Sequence, residues 1–379
     1  VFPRAPRPCS LACPFAGSGR LSDAMGGVES RLGNAMQRML MPEEVPDWYA
    51  GGRRKTAFPD GPADSLMLLG HFGFEVPDGD AARQFYIDAL GAGTVPTEAG
   101  SDCVVARAGA SEFRLKGGAG GNKVGGGEAP PTSVWPGHLY LWVADIRRTY
   151  EACEALGTKL GCQIVEDVHH ITSDDSIDVL VLQDPTGQNR FVVNQAPKGL
   201  VAKMRSMVGI EEGAADPPNL LGVIEAMYLV PSGKSAAVAR FYQHFLGGAA
   251  MKKQGGHAIH FSAGEALRQT LFFLEDESHP VGGEAAASGP SAPCTICVYM
   301  PSQKKFQEAF ERCNEQDILH QHQGGWEAAA GSFEFRVKSC MDPTSNLVVL
   351  ELEHLVRSPE HPECRVKAAA ETAAAGAAA

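Results

Sequence analysis

The chain has 379 residues, of which 44% are apolar and 21% charged, a composition typical of a soluble globular protein long enough for two domains. Its formal net charge of −12 argues against nucleic-acid binding, and no apolar run approaches the roughly 20 residues that a membrane span needs. The ten cysteines follow no disulfide framework, which favours reduced thiols in an intracellular compartment.

The first 60 residues form an extension ahead of the repeated part of the sequence. Residues 1–20 contain arginines and no acidic residue, which is typical either of an organelle-targeting remnant or of a disordered leader. The chain begins with Val1 rather than methionine, so we expect a processed chain or a fragment. The segment ESRLGNAMQRMLM, within residues 21–60, predicts a short amphipathic helix.

A strand–helix motif opens the repeated part as HFGFEVPDGDAARQFYIDALG, residues 71–91. An apolar strand is broken by Pro-Asp-Gly, and the helix that follows carries Ala-Arg-x-Phe-Tyr and ends at Gly91. The motif returns as IEAMYLVPSGKSAAVARFYQHFLGG at residues 224–248. Two weaker copies lie at residues 138–157 and 294–316.

Strand-like segments follow each copy, so the sequence predicts four units of one strand, one helix and further strands. The strands start near residues 71, 138, 225 and 295, and the longest step, from 138 to 225, contains a segment with one more predicted helix. We therefore expect units one and two to pair, and units three and four to pair. The predicted division is an extension at 1–60, domain one at 61–198, a linker at 199–222, domain two at 223–356 and a low-complexity tail at 357–379.

These motifs resemble the vicinal oxygen chelate superfamily, which includes glyoxalase I, extradiol dioxygenases and bleomycin-resistance proteins. The resemblance covers residues 66–355 and depends on three patterns in order: His-x-x-x-x-Val, Ala-Arg-x-Phe-Tyr-x-x-x-Leu-Gly and Asp-Pro-x-Gly-x-Asn. It implies an α+β fold in which four βαβββ units form two glyoxalase-like domains, each a curved mixed sheet around a cavity. In active members it also implies a divalent metal held by side chains of the first and last strands of each unit.

Carrying this pattern over places two histidines and two unsuitable residues at the implied ligand positions. The first-strand positions of units one and two are His71 and His138. The positions where the family has glutamate hold Arg114 and Phe191, and Glu112 lies two residues before Arg114 on the same strand face. An arginine stays protonated and cannot ligate a metal.

Two interpretations of this set remain open. In one, His71 and His138 hold a divalent metal (Zn, Ni, Fe or Mn) in domain one, the metal polarises a substrate oxygen, and Glu112 is the base of a lyase, isomerase or dioxygenase. In the other, the two histidines line a cavity in which Arg114 binds a small anionic or oxygen-rich molecule without a metal. The missing carboxylates favour the second interpretation.

Units three and four offer a poorer metal site. Their first-strand positions are Glu225 and Thr295, and their last-strand positions fall near Phe272 and at Val349. These side chains supply at most one hard ligand, so we expect no metal there.

The sequence leaves open whether the chain is an enzyme. A third hypothesis is a non-catalytic structural subunit of a larger assembly, in which the terminal segments are contacts. The expected partners are a small-molecule ligand and either a second copy of the chain or a larger complex. The expected compartment is the cytoplasm or an organelle.

Overall fold

The computed structural model describes most of the chain after residue 65. The described residues are 66–95, 102–117, 132–169, 177–210, 214, 216–263, 267–277, 291–292, 294–320 and 325–366. All of them belong to one compact unit, Gly61–Ala379. The leader and the short helix predicted in residues 1–60 lie outside the described residues. Within the described part, no helix is long and apolar enough to cross a membrane.

The first two predicted units are present in order. Unit one comprises β1 (Leu68–Val76), α1 (Gly79–Arg83) continued by a π-helical turn (Gln84–Ala89), β2 (Gly93–Thr94), β3 (Cys103–Ala108) and β4 (Ser111–Gly117). After a short β5 (Thr132–Ser133), unit two comprises β6 (Gly137–Val143), α2 (Ile146–Leu160), β7 (Gln163–His169), β8 (Ile177–Gln183) and β9 (Arg190–Gln195).

The helix predicted between the second and third units is also present, as α3 (Lys198–Met207). Unit three comprises β10 (Leu220–Pro231), α4 (Ser235–Phe241) with a π-helical turn (Tyr242–Leu246), β11 (Ala250–Lys253), β12 (Gly256–Ser262) and β13 (Arg268–Asp276). After a short β14 (Ser291–Ala292), unit four comprises β15 (Thr295–Tyr299), α5 (Gln303–Glu315), α6 (Gly325–Ser332), β16 (Glu334–Val337), β17 (Cys340–Asp342), β18 (Leu347–Leu350) and β19 (Glu353–Arg357).

The strands form two large mixed sheets, which confirms the predicted fold class. A seven-stranded sheet has the order β16-β19-β15-β1-β4-β3-β2, and an eight-stranded sheet has the order β11-β12-β13-β10-β6-β9-β8-β7. In every unit the last strand lies parallel to the first, as in the pairs β1·β4 and β6·β9. Strands β17 and β18 form a separate hairpin.

The predicted pairing of the units is wrong. The seven-stranded sheet joins unit one to unit four through the antiparallel pair β1·β15, with Gly73 opposite Thr295. The eight-stranded sheet joins units two and three through β6·β10, with His138 opposite Met227. Spacing along the chain could not reveal this, because any first strand can pair with any other across a long connection. The division of the chain near residues 199–222 stays a prediction, but each sheet takes strands from both sides of it.

Local sequence signals set the ends of the helices. Asp78 and Asp145 precede α1 and α2, and their side chains accept hydrogen bonds from first-turn amides. The chain leaves the π-helical turn of unit one through Gly91, whose φ is 72°. A Cβ atom there would lie 2.5 Å from Cβ of Asn219, so glycine is needed for space as well as for conformation.

One hydrophobic core includes residues from both large sheets and from the helices. Trp135 lies between the sheets, with its ring edge-on to Phe72 of β1 at 5.6 Å and to Tyr228 of β10 at 5.0 Å. Its Nε1 donates to the main-chain oxygen of Met227 at 2.8 Å, so the indole is fully buried without an unpaired polar atom. The two sheets therefore share a core.

The repeated Phe-Tyr pairs fill equivalent places in this core. Phe85 and Tyr86 of unit one pack against Phe191 of β9 at ring distances of 5.6 Å and 5.6 Å. The matching pair of unit three packs against His354 of β19, and the Tyr242 hydroxyl lies 2.6 Å from Nε2 of His354. The Tyr86 hydroxyl is buried without a hydrogen-bond partner among the described residues. The two halves thus share an aromatic arrangement with phenylalanine at one site and histidine at the other.

A buried glutamine joins the two sheets by hydrogen bonds. The side chain of Gln269 on β13 accepts from the amide of Leu69 on β1 at 2.9 Å. Its amide nitrogen donates to Oγ of Ser111 and to the carbonyl of Val223, both at 2.9 Å. The pairing of β1 with β15 is irregular between Leu69 and Phe72, so Gln269 supplies a partner where the strand ladder does not.

Replacing Gln269 with leucine should destabilise the protein strongly. The Leu69 amide and the Val223 carbonyl would each be left unpaired in the interior, at about 1–3 kcal/mol apiece. We expect the free energy of unfolding, measured by urea denaturation, to fall by at least about 2 kcal/mol. Gln188→Leu, at an exposed turn position, is the control and should have little effect. Equal losses in both variants would contradict the bridging role.

Acid should destabilise the fold through His354. Burial lowers the pKa of His354 to about 3, whereas in the unfolded chain it is about 6.5. The unfolded state therefore binds a proton that the folded state does not, and stability falls by about 1.4 kcal/mol per pH unit as pH drops from 6.5 towards the folded value. His354→Phe should remove this contribution from the slope of unfolding free energy against pH between 6 and 4.5, measured in urea.

The reciprocal change, Phe191→His, is the matched test. It places an imidazole beside the Tyr86 hydroxyl, as His354 lies beside that of Tyr242, and should add a slope of similar size. Slopes are compared rather than absolute stabilities, because His354→Phe also removes a hydrogen bond. Unchanged slopes in both variants would contradict the assignment.

Candidate functional site

The candidate site lies on the face of the seven-stranded sheet opposite the main core, here called the site face. Strands β1 and β4 run in parallel register, so His71 is level with Glu112 and Gly73 with Arg114. Phe72 points into the core. The alternation of a strand therefore turns His71, Glu112 and Arg114 to the opposite face together. The structure brings these three predicted residues into one site.

Two carboxylates contact Arg114. Its Nε donates to Oε1 of Glu112 at 2.7 Å, and its Nη2 donates to Oε2 of Glu363. The second oxygen of Glu112 accepts from Nη2 of Arg365 at 2.9 Å. Burial alone would lower the pKa of the Arg114 guanidinium, but Glu112 and Glu363 raise it above its ordinary value. Arg114 is therefore a fixed cation on the site face, and Glu112 holds it in place.

Arg357, at the end of β19, is a second cation of the site. It is 4% exposed, its Nε donates to Oε2 of Glu334 at 3.0 Å, and its Nη1 donates to the Tyr299 hydroxyl at 3.3 Å. The same Nη1 donates to Oε2 of Glu363. Burial alone would raise the pKa of the Glu363 carboxyl, but Arg357 and Arg114 hold it below its ordinary value. Two guanidinium groups thus converge on one carboxylate oxygen.

The sequence analysis missed Arg357, Glu363 and Arg365, because it assigned residues 357–379 to a low-complexity tail. The structure corrects this: Arg357 is the last residue of β19, and the described chain continues to Val366 against the site face. The alanine-rich composition begins only at Ala368. The sequence did contain a signal for Arg357, because this residue ends the apolar, strand-like segment EHLVR.

His71 is buried among positive charges. It is 4% exposed. Burial, followed by the charges of Arg114, Arg357 and Arg336, lowers its pKa well below the ordinary value for histidine. His71 is therefore a neutral imidazole near neutral pH, able to donate one hydrogen bond and accept another.

The residues around His71 do not fit a divalent metal. Three guanidinium groups near the imidazole would repel a cation, and both oxygens of Glu112 accept hydrogen bonds from arginines. In the described part of the chain, no group of three or more histidine, cysteine, aspartate or glutamate side chains is placed to hold a metal ion. The described residues of this site therefore lack the ligand set that a divalent metal needs.

Two implied ligand positions also need correction. The ring of Phe191 packs in the main core, so the family position of β9 does not point to the opposite face. Val349 belongs to the hairpin strand β18 rather than to the last strand of its unit. That last strand is β19, where Glu353 lies opposite Thr295 and pairs with Arg336 at 3.1 Å. The Asp-Pro-Thr turn of unit four is followed by two strands, β18 and β19, whereas that of unit two is followed by β9 alone. Counting residues from the turn therefore selected a position on β18 instead of one on the last strand.

The structure does not bring His138 to His71. His138 lies on β6 of the eight-stranded sheet, opposite Met227 of β10 and beside Arg190 of β9. Burial, followed by the charge of Arg190, lowers its pKa to about 4, and its Nδ1 is buried without a hydrogen-bond partner in the described residues. The prediction of one cavity for both histidines assumed that units one and two pair, and it fails with that pairing.

The same face of the eight-stranded sheet carries other polar groups. Glu225 pairs with Lys253 at 3.2 Å, and the Lys253 ammonium lies 5.2 Å from the centre of the Phe272 ring. Burial, followed by Lys253, lowers the pKa of His260 to about 4. Glu225 and Phe272, singled out in the sequence, thus contact one lysine that the sequence analysis did not consider.

Comparison with known proteins gives matches in structure only. No family model matches the chain, and no curated protein sequence matches it. Among solved structures, a glyoxalase I mutant from Zea mays is 14% identical, with 76% of this chain and 93% of that chain covered and a TM-score of 0.48. A putative dioxygenase from Bacillus subtilis is 11% identical, with 79% and 88% covered and a TM-score of 0.45.

A shorter structure, lactoylglutathione lyase from Agrobacterium tumefaciens, is 20% identical over 34% of this chain and 93% of its own, with a TM-score of 0.23. At such identities these matches carry no activity over to this chain. Four units, each with its last strand parallel to its first, form two curved mixed sheets here. This is the arrangement of four βαβββ units in mixed sheets that the resemblance of the sequence repeat to the vicinal oxygen chelate superfamily implies.

Proposed function

We propose that the chain binds a small carboxylate, or a comparably oxygen-rich anion, between Arg114 and Arg357 on the site face, without a metal. One observation carries the proposal: both guanidinium groups donate to the same oxygen, Oε2 of Glu363. That oxygen marks the position where a carboxylate oxygen of a ligand would lie. Paired guanidinium groups are a common means of binding carboxylates and phosphates.

The balance of charge supports an anion at this position. Without Glu363, the three guanidinium groups of Arg114, Arg357 and Arg365 contact two carboxylates, Glu112 and Glu334. With Arg365 on Glu112, one positive charge is then left over, and Glu363 neutralises it. A ligand carboxylate that replaces Glu363 alone would supply the same charge, whereas a ligand that replaces Arg365 as well would need a cation of its own.

The environment should make these contacts stronger than surface ion pairs. Arg357 is almost completely buried, and the Arg114 side chain is 27% exposed. Hydrogen bonds to charged groups contribute about 1.5–3 kcal/mol each, whereas exposed pairs contribute about 1 kcal/mol or less. The neutral imidazole of His71 lies near both guanidinium groups and could hydrogen-bond a second ligand oxygen.

The enzyme hypothesis receives less support from the geometry. A metal-dependent lyase, isomerase or dioxygenase that uses both His71 and His138 would need them in one cavity, and they lie in different sheets with different charged neighbours. Glu112 was the candidate base. Its two oxygens accept from Arg114 and Arg365, so it is better placed to orient a guanidinium than to take a proton from a substrate.

Arg114→Gln should weaken carboxylate binding at least about tenfold, because it removes one charged hydrogen bond and one fixed cation. We would measure succinate affinity by isothermal titration calorimetry with protein and buffer that a chelating resin has freed of metal ions. Lys116→Gln is the matched control, since Lys116 lies two residues further along β4, contacts Glu75 rather than the site, and is exposed.

The proposal requires that only Arg114→Gln changes the affinity. Equal weakening in both variants would indicate general charge attraction instead of a defined site. Loss of binding in protein treated with the neutral chelator 1,10-phenanthroline, restored by added Zn²⁺, would favour the metal-dependent alternative.

A further inference from the structure

The chain carries its own occupant of the proposed anion site. Residues 358–366, here called the C-terminal strap, leave β19 after Arg357 and lie against the site face. Ser358 anchors the start, because its amide donates to the Phe333 carbonyl at 2.9 Å. A turn follows in which the Cys364 amide donates to the His361 carbonyl at 2.9 Å. This turn presents Glu363 to the sheet.

The strap contacts the site face through two charges of opposite sign. Glu363 accepts from Arg114 and Arg357, and two residues later Arg365 donates to Glu112 at 2.9 Å. The site face therefore offers a place for an anion and, beside it, a place for a cation. Arg114 separates the two places and contacts both carboxylates.

An apolar contact lies between these two charged residues. Cys364 is buried in a small cluster with residues of β1, β15 and β19, namely Leu68, Cys297, Tyr299 and Leu355. His361 contacts Oε2 of Glu334 at 3.4 Å and lies edge-on to the Tyr299 ring at 6.4 Å. The strap thus covers the face with the buried Cys364, the partly buried Val366 and several polar contacts.

The strap is held more weakly than the sheet beneath it. Of its side chains, Ser358 and Cys364 are buried, while the Glu363 side chain is 48% exposed. Segments with few buried contacts and partly exposed ion pairs open at a lower free energy than the core. Fewer buried contacts must therefore break for the strap to open than for β1, β4, β15 and β19 to separate.

We propose that the C-terminal strap is a built-in competitor for the anion site, and that the ligand which displaces it carries a carboxylate together with a cationic group. The ligand carboxylate takes the place of Glu363 between Arg114 and Arg357, and its cation takes the place of Arg365 at Glu112. This proposal rests on the proposed function of the same site. It adds that binding and strap release are linked, so the affinity of the intact chain is lower than that of a chain whose strap is open.

The test compares Glu363→Gln with the matched variant Glu360→Gln in the full chain. Both remove one strap carboxylate, but Glu360 is exposed and is not among the residues that contact Arg114 or Arg357 in the described part of the chain. The probes are succinate, which supplies only an anion, and a synthetic peptide of residues 358–366. Two further peptides carry one substitution each, Glu363→Gln or Arg365→Gln, which removes the carboxylate or the guanidinium. Calorimetry gives affinities, and amide hydrogen exchange reports whether the strap opens.

Glu363→Gln should bind succinate at least tenfold more tightly than the parent, and Glu360→Gln should bind as the parent does. Succinate should accelerate exchange of the strap amides in the parent. The unaltered peptide should bind Glu363→Gln more tightly than either glutamine-substituted peptide.

The outcomes separate the two proposals. If all three proteins bind succinate equally and Arg114→Gln still weakens binding, the anion site stands and the competing strap is wrong. If Glu363→Gln shows faster strap exchange yet binds neither succinate nor peptide, the strap is a removable cover and the proposed function is wrong. If the two substituted peptides bind as well as the unaltered one, the ligand does not need both charges.

Discussion

The antiparallel pairing of β1 with β15 is the constraint on which the candidate site depends. It places the first strand of the repeated part against the first strand of unit four, and β19 follows β15 in parallel. Arg357, near the end of the described chain, thereby reaches the same sheet face as Arg114, which is 243 residues earlier. If units one and two had paired instead, Arg114 would lie beside residues of β9, and the second guanidinium would be absent from its surroundings.

The pairing of β1 with β15 also depends on the hydrophobic core that the two large sheets share. Each large sheet takes strands from distant parts of the chain, so neither sheet is complete until most of the described residues are in place. Trp135 packs between Phe72 and Tyr228, and Gln269 hydrogen-bonds to Leu69 across the sheets. These contacts give the buried β1 strand a defined position relative to β13 and β10. The irregular part of β1 next to His71 is the part that Gln269 supports, which links the core to the candidate site.

The sequence predicted the repeating unit well because that unit is local. The turn after β1 and the helix that carries the Phe-Tyr pair lie within about 20 residues of each other, and both are found where the repeated pattern predicted them. Pairing between units depends on strand edges and on the shape of the core. The sequence intervals between the units contain no information about either. Strand alternation correctly put Glu112 and Arg114 on one face, whereas the position of Val349 was wrong because a hairpin intervenes before β19.

Charge explains why Arg114 and Glu112 occur together where the resemblance implies a metal site. A divalent cation held by histidine and carboxylate side chains attracts substrate oxygens. Arg114 supplies a cation that needs no ligands of its own, and Arg357 supplies a second one on the same face from β19. Glu112 then serves to orient Arg114, and a neutral His71 can stay buried because both positive charges are carried by its neighbours. In this arrangement one buried cation, Arg357, and one partly buried cation, Arg114, are directed at the same point. Such a point favours an anion, and Glu363 supplies it.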